Sequence, residues 1–216
     1  MSERINVGPK TAITKTILLA TLIGLGFCPA FADATGATVV YKEGILTVDG
    51  TPVEIGAKIP EGALLSTDKN GLAEIVFADK NALRIGPSTT FRVRLENKRR
   101  SLEIERGTIT AVLRKLDKAA GGSMNVRTPS LVAGVRGTSF CVWVSGTEQK
   151  TFFCTCNGRI EFIPGGTKRK ILKEASHHDA LVFAGTGKKV AVAPPDPGAN
   201  TWHTDADLES LAARIG

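Results

Sequence analysis

Between Ala37 and Ala193 no segment carries a sustained 3.6-residue apolar period. Short stretches of alternating or β-branched residues recur instead, separated by turn residues. Thr90–Leu95 alternates strictly, with Phe91, Val93 and Leu95 on one face and Arg92 and Arg94 on the other. Ser101–Glu105 repeats the pattern, with Leu102 and Ile104 directed inward. Such segments are half-buried strands with one wet face. The 23 glycines suit a chain that must turn often.

In chain order, Thr38–Tyr41 begins the strands. Ile45–Val48 and Pro52–Ile55 flank Asp49-Gly50, a pair that readily takes the positive φ angles of a type I′ hairpin turn. Leu72–Ala78 and Ala82–Ile85 flank Asp79-Lys80-Asn81, and Gly86-Pro87 ends that run. Gly107 opens Thr108–Leu113, and Asp117–Ser123 is a loop. Further strands are predicted at 124–127, 138–144, 151–156, 158–163, 169–173, 180–184 and 188–192. No exact repeat period is present. The expected fold is therefore all-β over residues 37–193, a sandwich or an irregular β-solenoid of many short strands. Residues 194–203 are a proline-rich linker, because proline cannot continue a ladder. Residues 204–216 form a short helix that Thr204 and Asp207 can cap, with Leu208, Leu211, Ala212 and Ile215 as its apolar stripe. Docking of that helix on the β-domain is the expectation.

Residues 1–32 have the form of a secretory signal. Lys10 and Lys15 precede the apolar run Thr16–Phe27, and Ala30-Phe31-Ala32 supplies small residues for cleavage after Ala32. The run is well short of the roughly 20 residues a membrane span needs. The expected location is periplasmic or secreted, with no stable membrane span after cleavage. An uncleaved N-terminal membrane anchor is the alternative. Net charge is +7; the leader holds Arg4, Lys10 and Lys15 against Glu3, which leaves a mild +5 for the rest of the chain. Dispersed arginines, 6% aromatic residues and export argue against nucleic-acid binding.

Export places the cysteines in an oxidising compartment. Cleavage removes Cys28 and leaves an odd set: Cys141, Cys154 and Cys156. Phe140–Val144 and Thr151–Cys156 read as a hairpin centred between Thr147 and Glu148. Opposed residues then pair Cys141 with Cys154 and Trp143 with Phe152. One face carries Cys141, Trp143, Phe152, Cys154 and Cys156; the other carries Phe140, Val142, Val144 and Phe153. Both faces are apolar, so the hairpin is expected to be covered on both sides. Ser176-His177-His178-Asp179 follows. Thiolate sulfur and imidazole nitrogen together suit zinc or copper, so Cys154, Cys156, His177 and His178 are candidate metal ligands, with Asp179 positioned to orient a histidine. A Cys141–Cys154 or Cys141–Cys156 disulfide, or plain packing of small buried thiols, is an open alternative.

The ordered set from Leu64 to Phe162 resembles the FecR domain. Leu72–Asp79 and Leu102–Gly107 carry part of the likeness. The most specific part couples Val126-Arg127-Thr128-Pro129 to Val135-Arg136-Gly137-Thr138-Ser139-Phe140. Independently of any family, Pro129 biases Thr128 to an extended shape and ends a strand. Gly134 and Gly137 are expected to allow a tight reversal around an exposed Arg136. The resemblance implies an all-β extracytoplasmic domain. Its namesakes relay a signal from an outer-membrane receptor to a cytoplasmic sigma factor through a cytoplasmic segment and a membrane helix. Here about 15 residues precede the apolar run, too few for that segment. The expectation is an exported, non-catalytic binding or sensing module of the cell envelope whose partner is an envelope protein or small ligand. A periplasmic metal-binding or redox protein is the alternative. Ser139 or Cys141 with His177 could be drawn as nucleophile and base, but no nucleophile turn, phosphate loop or carboxylate pair supports an enzyme.

Overall fold

The computed structural model describes residues 34–78, 81–95, 100–114, 123–187, 189–196 and 203–216. The expected leader and cleavage site at 1–32, the Asp79-Lys80 turn and most of the expected 117–123 loop and 194–203 linker lie outside the described residues.

In chain order the strands are β1 (Ala34–Glu43), β2 (Leu46–Val48), β3 (Thr51–Pro52), β4 (Lys58–Pro60), β5 (Leu64–Thr67), β6 (Leu72–Phe77), β7 (Asn81–Ile85) and β8 (Thr90–Arg94). They continue as β9 (Arg100–Leu113), β10 (Met124–Arg127), β11 (Leu131–Val135), β12 (Ser139–Val144), β13 (Lys150–Pro164), β14 (Ile171–Ala175), β15 (Asp179–Ala184) and β16 (Ala191–Ala193). The helix α1 (Asp205–Ala212) runs into a 3-10 turn over Ala213–Ile215.

These strands form two sheets that share β9 and β13. The first runs β16-β15-β13-β12-β9-β7-β6-β1-β4. The second runs β14-β13-β11-β10-β9-β8-β5-β2-β3. Neighbours are antiparallel except β9 and β10. The inner faces meet in one core that draws on both sheets, including Ile75, Leu83, Ile109, Phe140 and Phe153 from the first and Phe91, Leu102, Val126, Ile160 and Phe162 from the second. The Phe153 ring meets Phe162 edge-on, with centroids 5.0 Å apart, and Phe162 meets Phe183 at 5.3 Å. The architecture is thus a β-sandwich, with the short C-terminal helix expected from the sequence.

The two shared strands pass from one sheet to the other at glycines. Gly107 has φ +93° and Gly158 has φ +108°, a region that disfavours side chains. A Cβ on Gly107 would sit 2.4 Å from the Thr89 Cα, and one on Gly158 would sit 2.9 Å from the Thr138 Oγ1. Each glycine therefore bends a continuous strand, where the sequence pattern suggests a break between two.

The Asp49-Gly50 turn is the expected type I′, with both residues at positive φ (48° and 80°). The reversal expected at Gly134 is corrected. Residues 131–135 are strand β11, and Gly134 pairs with Glu161 inside the ladder. The turn falls earlier, at Pro129-Ser130, where Thr128 Oγ1 accepts from the Ser130 and Leu131 amides. Gly137, at φ +64°, makes the second turn beside an exposed Arg136. Thr128, Thr138 and Phe140 serve the same architecture. Thr151 Oγ1 donates to Thr128 Oγ1 at 2.9 Å, Thr138 Oγ1 donates to the Arg159 carbonyl at 3.1 Å, and the Phe140 ring stacks on Phe153.

Candidate functional site

The β12–β13 hairpin has the register expected from alternation: Cys141 faces Cys154, Val142 faces Phe153 and Trp143 faces Phe152. The cysteine face is the outer face of the first sheet. Cys141, Phe152, Cys154, Cys156 and Ala180 form a second apolar cluster there, with Val182 and Leu208 packed against it. Trp143, two residues along, stands 37% exposed. A bulge opposite Ser139 and Phe140 leaves Cys156 as the extra residue of β13. Bulges re-aim side chains, and Cys156 Sγ ends 3.7 Å from Cys154 Sγ and 3.8 Å from Cys141 Sγ.

Across this outer face one aligned row runs through seven strands. Tyr41, Glu74, Arg84, Thr110, Cys141, Cys154 and Ala180 are successive cross-strand partners. The C-terminal tail lies along the row. Thr204 caps α1 with a reciprocal Thr204–Asp207 capping box. Arg84 bonds Asp207 at 2.8 Å and Ser210 at 3.1 Å. Glu74, 1% exposed, accepts from Arg84 at 2.9 Å and from Arg214 at 2.6 Å. Leu211 is fully buried. The expected docking of the helix on its own β-domain is what the structure shows; of the predicted apolar stripe, Leu208 and Leu211 face the sheet.

At the cysteine end the tail contributes a residue. His203, immediately before the Thr204 cap and 7% exposed, brings Nε2 to 3.6 Å from Cys156 Sγ. The same Nε2 lies 3.1 Å from His178 Nδ1. His178 Nδ1 in turn lies 3.4 Å from Cys154 Sγ. His178 sits in the β14–β15 connection at φ +32°, and its amide donates to the Cys156 carbonyl at 3.2 Å. That bond holds the loop beside the bulge. The Sγ and ring nitrogen atoms of Cys154, Cys156, His178 and His203 all lie within 4.8 Å of one another.

Two sequence-based assignments change. His177 is 68% exposed at its side chain and stands outside the thiol cluster, 3.8 Å from Asp205; His203 takes the place assigned to it. The reason is geometric: the two rings meet edge-on with centroids 4.4 Å apart, His177 on the exposed side, and His178 is the one that brings a nitrogen to the thiols. Asp179 pairs with Lys173 at 2.8 Å, and the carboxylate on His178 is Asp205, 2.8 Å from Nε2. The Cys141–Cys154 bridge is also not formed. All three cysteines are free, and the Cys141 thiol donates to Thr110 Oγ1 at 3.3 Å.

Electrostatically the pocket favours neutral thiols in the absence of a cation. The Cys154 thiol is pushed well above its ordinary range, first by the Cys156 thiol beside it and then by burial. The Cys156 thiol is raised as well, first by Cys141. The hydrogen bond from His178 holds the Asp205 carboxyl below the usual carboxylate range.

A separate feature lies at the Gly107 bend. An open cleft of about 240 Å³ is lined by Ser88, Arg106, Gly107, Trp143 and Ser145, among others.

Together these features define an all-β two-sheet module with a thiol–imidazole cluster beneath a docked tail. Residues 63–161 match the family model described as FecR protein, so the chain carries a FecR domain over that span. No curated protein matches the sequence. Two crystal structures of a Parabacteroides distasonis protein, provisionally described as an anti-sigma factor, are similar in fold. They were determined at 1.65 and 2.50 Å. Each gives a TM-score of 0.51 and 17% identity over 62% of this chain. The match spans 60% of the length of those structures. At that identity the likeness concerns the fold. No helix among the described residues is long and apolar enough to cross a membrane.

Proposed function

We propose that this chain is an exported, non-catalytic signal-transduction module of the cell envelope that works by binding a protein partner. The FecR domain at 63–161 is the observation that carries this reading. The leader pattern at 1–32 supports export. The anti-sigma description of the structural neighbour agrees with a signalling role.

The cleft at the Gly107 bend favours a protein over a small molecule as partner. At about 240 Å³ and open to solvent, it is smaller than the roughly 300–1,000 Å³ of enclosed small-ligand sites. It presents an indole and a guanidinium, the groups that most often anchor protein interfaces. Trp143 would contribute apolar contact there and Arg106 a charged hydrogen-bond donor.

The test is genetic and biochemical. In the native host, an in-frame deletion should change expression of a defined gene set. The wild-type gene should restore it, and a correctly folded Trp143→Ala variant should not. The mature protein should begin at Asp33 and fractionate with the envelope. A deletion without transcriptional consequence, or a cytoplasmic full-length chain, would contradict the reading.

A further inference from the structure

We infer that Cys154, Cys156, His178 and His203 form a tetrahedral Cys2His2 site for a zinc-class cation, and that the bound cation fastens the C-terminal tail to the sheet. The inference rests on donor geometry and chemistry, and it is independent of the partner proposed above.

The separations between donor atoms carry it. A tetrahedral ion with about 2.3 Å to sulfur and about 2.05 Å to nitrogen sets its ligands about 3.8 Å apart for two sulfurs, about 3.6 Å for sulfur and nitrogen, and about 3.3 Å for two nitrogens. The corresponding separations here are 3.7 Å between the two Sγ atoms, 3.4 and 3.6 Å between sulfur and nitrogen, and 3.1 Å between the two nitrogens. Four donors of the two types that zinc prefers thus stand near the corners of one tetrahedron: four of its six edges match, and the other two separations lie within 4.8 Å.

The surroundings fit a metal centre on a second count. His178 turns Nδ1 toward the cluster and holds Asp205 on Nε2 at 2.8 Å. A carboxylate on the far nitrogen fixes the tautomer of a ligating histidine and raises its basicity. The backbone bond from His178 to Cys156 clamps the loop ligand to the strand ligand. Three of the donors come from the sheet and its adjoining loop. The fourth, His203, comes from the tail, one residue before the helix cap, and Asp205 stands in the first turn of the same helix. A cation there joins β13, the β14–β15 connection and α1. Cys141, with its thiol bonded to Thr110, lines the site from outside the set of four.

Binding must displace the thiol protons, which leave to solvent as the two thiolates form. Cation and ligands then carry no net charge, which suits a buried position.

The test uses the reduced mature chain and cobalt(II) as a spectroscopic probe. We expect one equivalent to bind, with the intense visible bands of tetrahedral cobalt and sulfur-to-metal charge transfer, and stoichiometric displacement by zinc. His203→Ala should weaken binding at least about 10-fold, and His177→Ala should leave it unchanged. Both substitutions lie outside the sandwich core, so circular dichroism should show folded protein in each case. Cys154→Ser and Cys156→Ser should each remove charge-transfer intensity. Limited proteolysis should cut the 203–216 tail more slowly in zinc than in chelator. Absence of tetrahedral cobalt in folded wild type, equal effects of His203→Ala and His177→Ala, or zinc-independent cleavage of the tail would overturn the inference.

Discussion

The two faces of the β12–β13 hairpin come from the same eleven or so residues and have different lives. Inward, Phe140, Val142, Val144 and Phe153 join a core shared by both sheets. Outward, one residue along in each case, Cys141, Phe152, Cys154 and Cys156 form a small separate cluster. The inner face is closed by the other sheet, through apolar contact that many residues share. The outer face is closed by a tail of about a dozen residues, through a few specific bonds: Arg84 to Asp207, Arg214 to Glu74 and His203 to the cysteines. The first arrangement makes a fold. The second makes a cover whose hold depends on individual groups, and it is there that the chemistry-bearing residues collect.

Neighbouring substitutions separate the two faces most sharply. Phe153→Ala should destabilise the domain by about 3–5 kcal/mol, the range for emptying an aromatic site in a packed core. Urea unfolding of the metal-free protein would measure it. Cys154→Ser, one residue along, should cost about 1 kcal/mol under the same conditions, because the hydroxyl keeps polar neighbours in Cys156 and His178. Equal losses would erase the distinction between the faces.

The bends that let β9 and β13 serve both sheets come next. Gly158→Ala should cost about 1–3 kcal/mol through its positive φ. Gly107→Ala should cost more, because its Cβ meets backbone at Thr89, whereas at Gly158 the neighbours are side-chain atoms of Thr138. Thermal melts of the pair would rank them. The reverse order would mean that crowding at the bends is relieved elsewhere.

Glu74→Gln is a test of the cover alone. It removes a buried charge that accepts from Arg84 and Arg214 and should cost roughly 1.5–3 kcal/mol, the range for hydrogen bonds to charged groups. The loss should appear chiefly as faster proteolysis of the tail. Smallest of all, Trp143→Ala should change stability by no more than about 0.5 kcal/mol, because the ring is already 37% exposed.

The contrast also explains what was legible in the sequence. Alternation with period two fixed the hairpin register, so the pairing of Cys141 with Cys154 and the outward set of cysteines followed from spacing alone. The Asp49-Gly50 turn was equally readable, since its geometry is local. Strand β11 was not, because Val-Ala-Gly-Val-Arg-Gly looks like a turn until Glu161 is found pairing with Gly134. Strands β9 and β13 looked broken at Gly107 and Gly158 for the same reason: a glycine that bends a strand and one that ends it look alike without the partner that crowds it. His203 was the real omission. It lies in a segment read as linker, and nothing in its neighbourhood marks a ligand. The only local signal was the Thr204–Asp207 capping box, which fixes where the helix begins and so where the preceding residue must sit. The FecR match stops at residue 161, so it covers the two cysteine ligands and neither histidine. The site is assembled by elements that follow the family segment.

Amide hydrogen exchange across α1 is the most direct measurement of the central claim, that the tail and the thiol–imidazole cluster form one unit. Amides of residues 205–212 should exchange markedly more slowly with one equivalent of zinc than in chelator, while the inner core of β12 and β13 changes little. In His203→Ala the zinc effect on α1 should vanish. Helix protection that is the same with and without zinc in the wild-type chain would contradict the account.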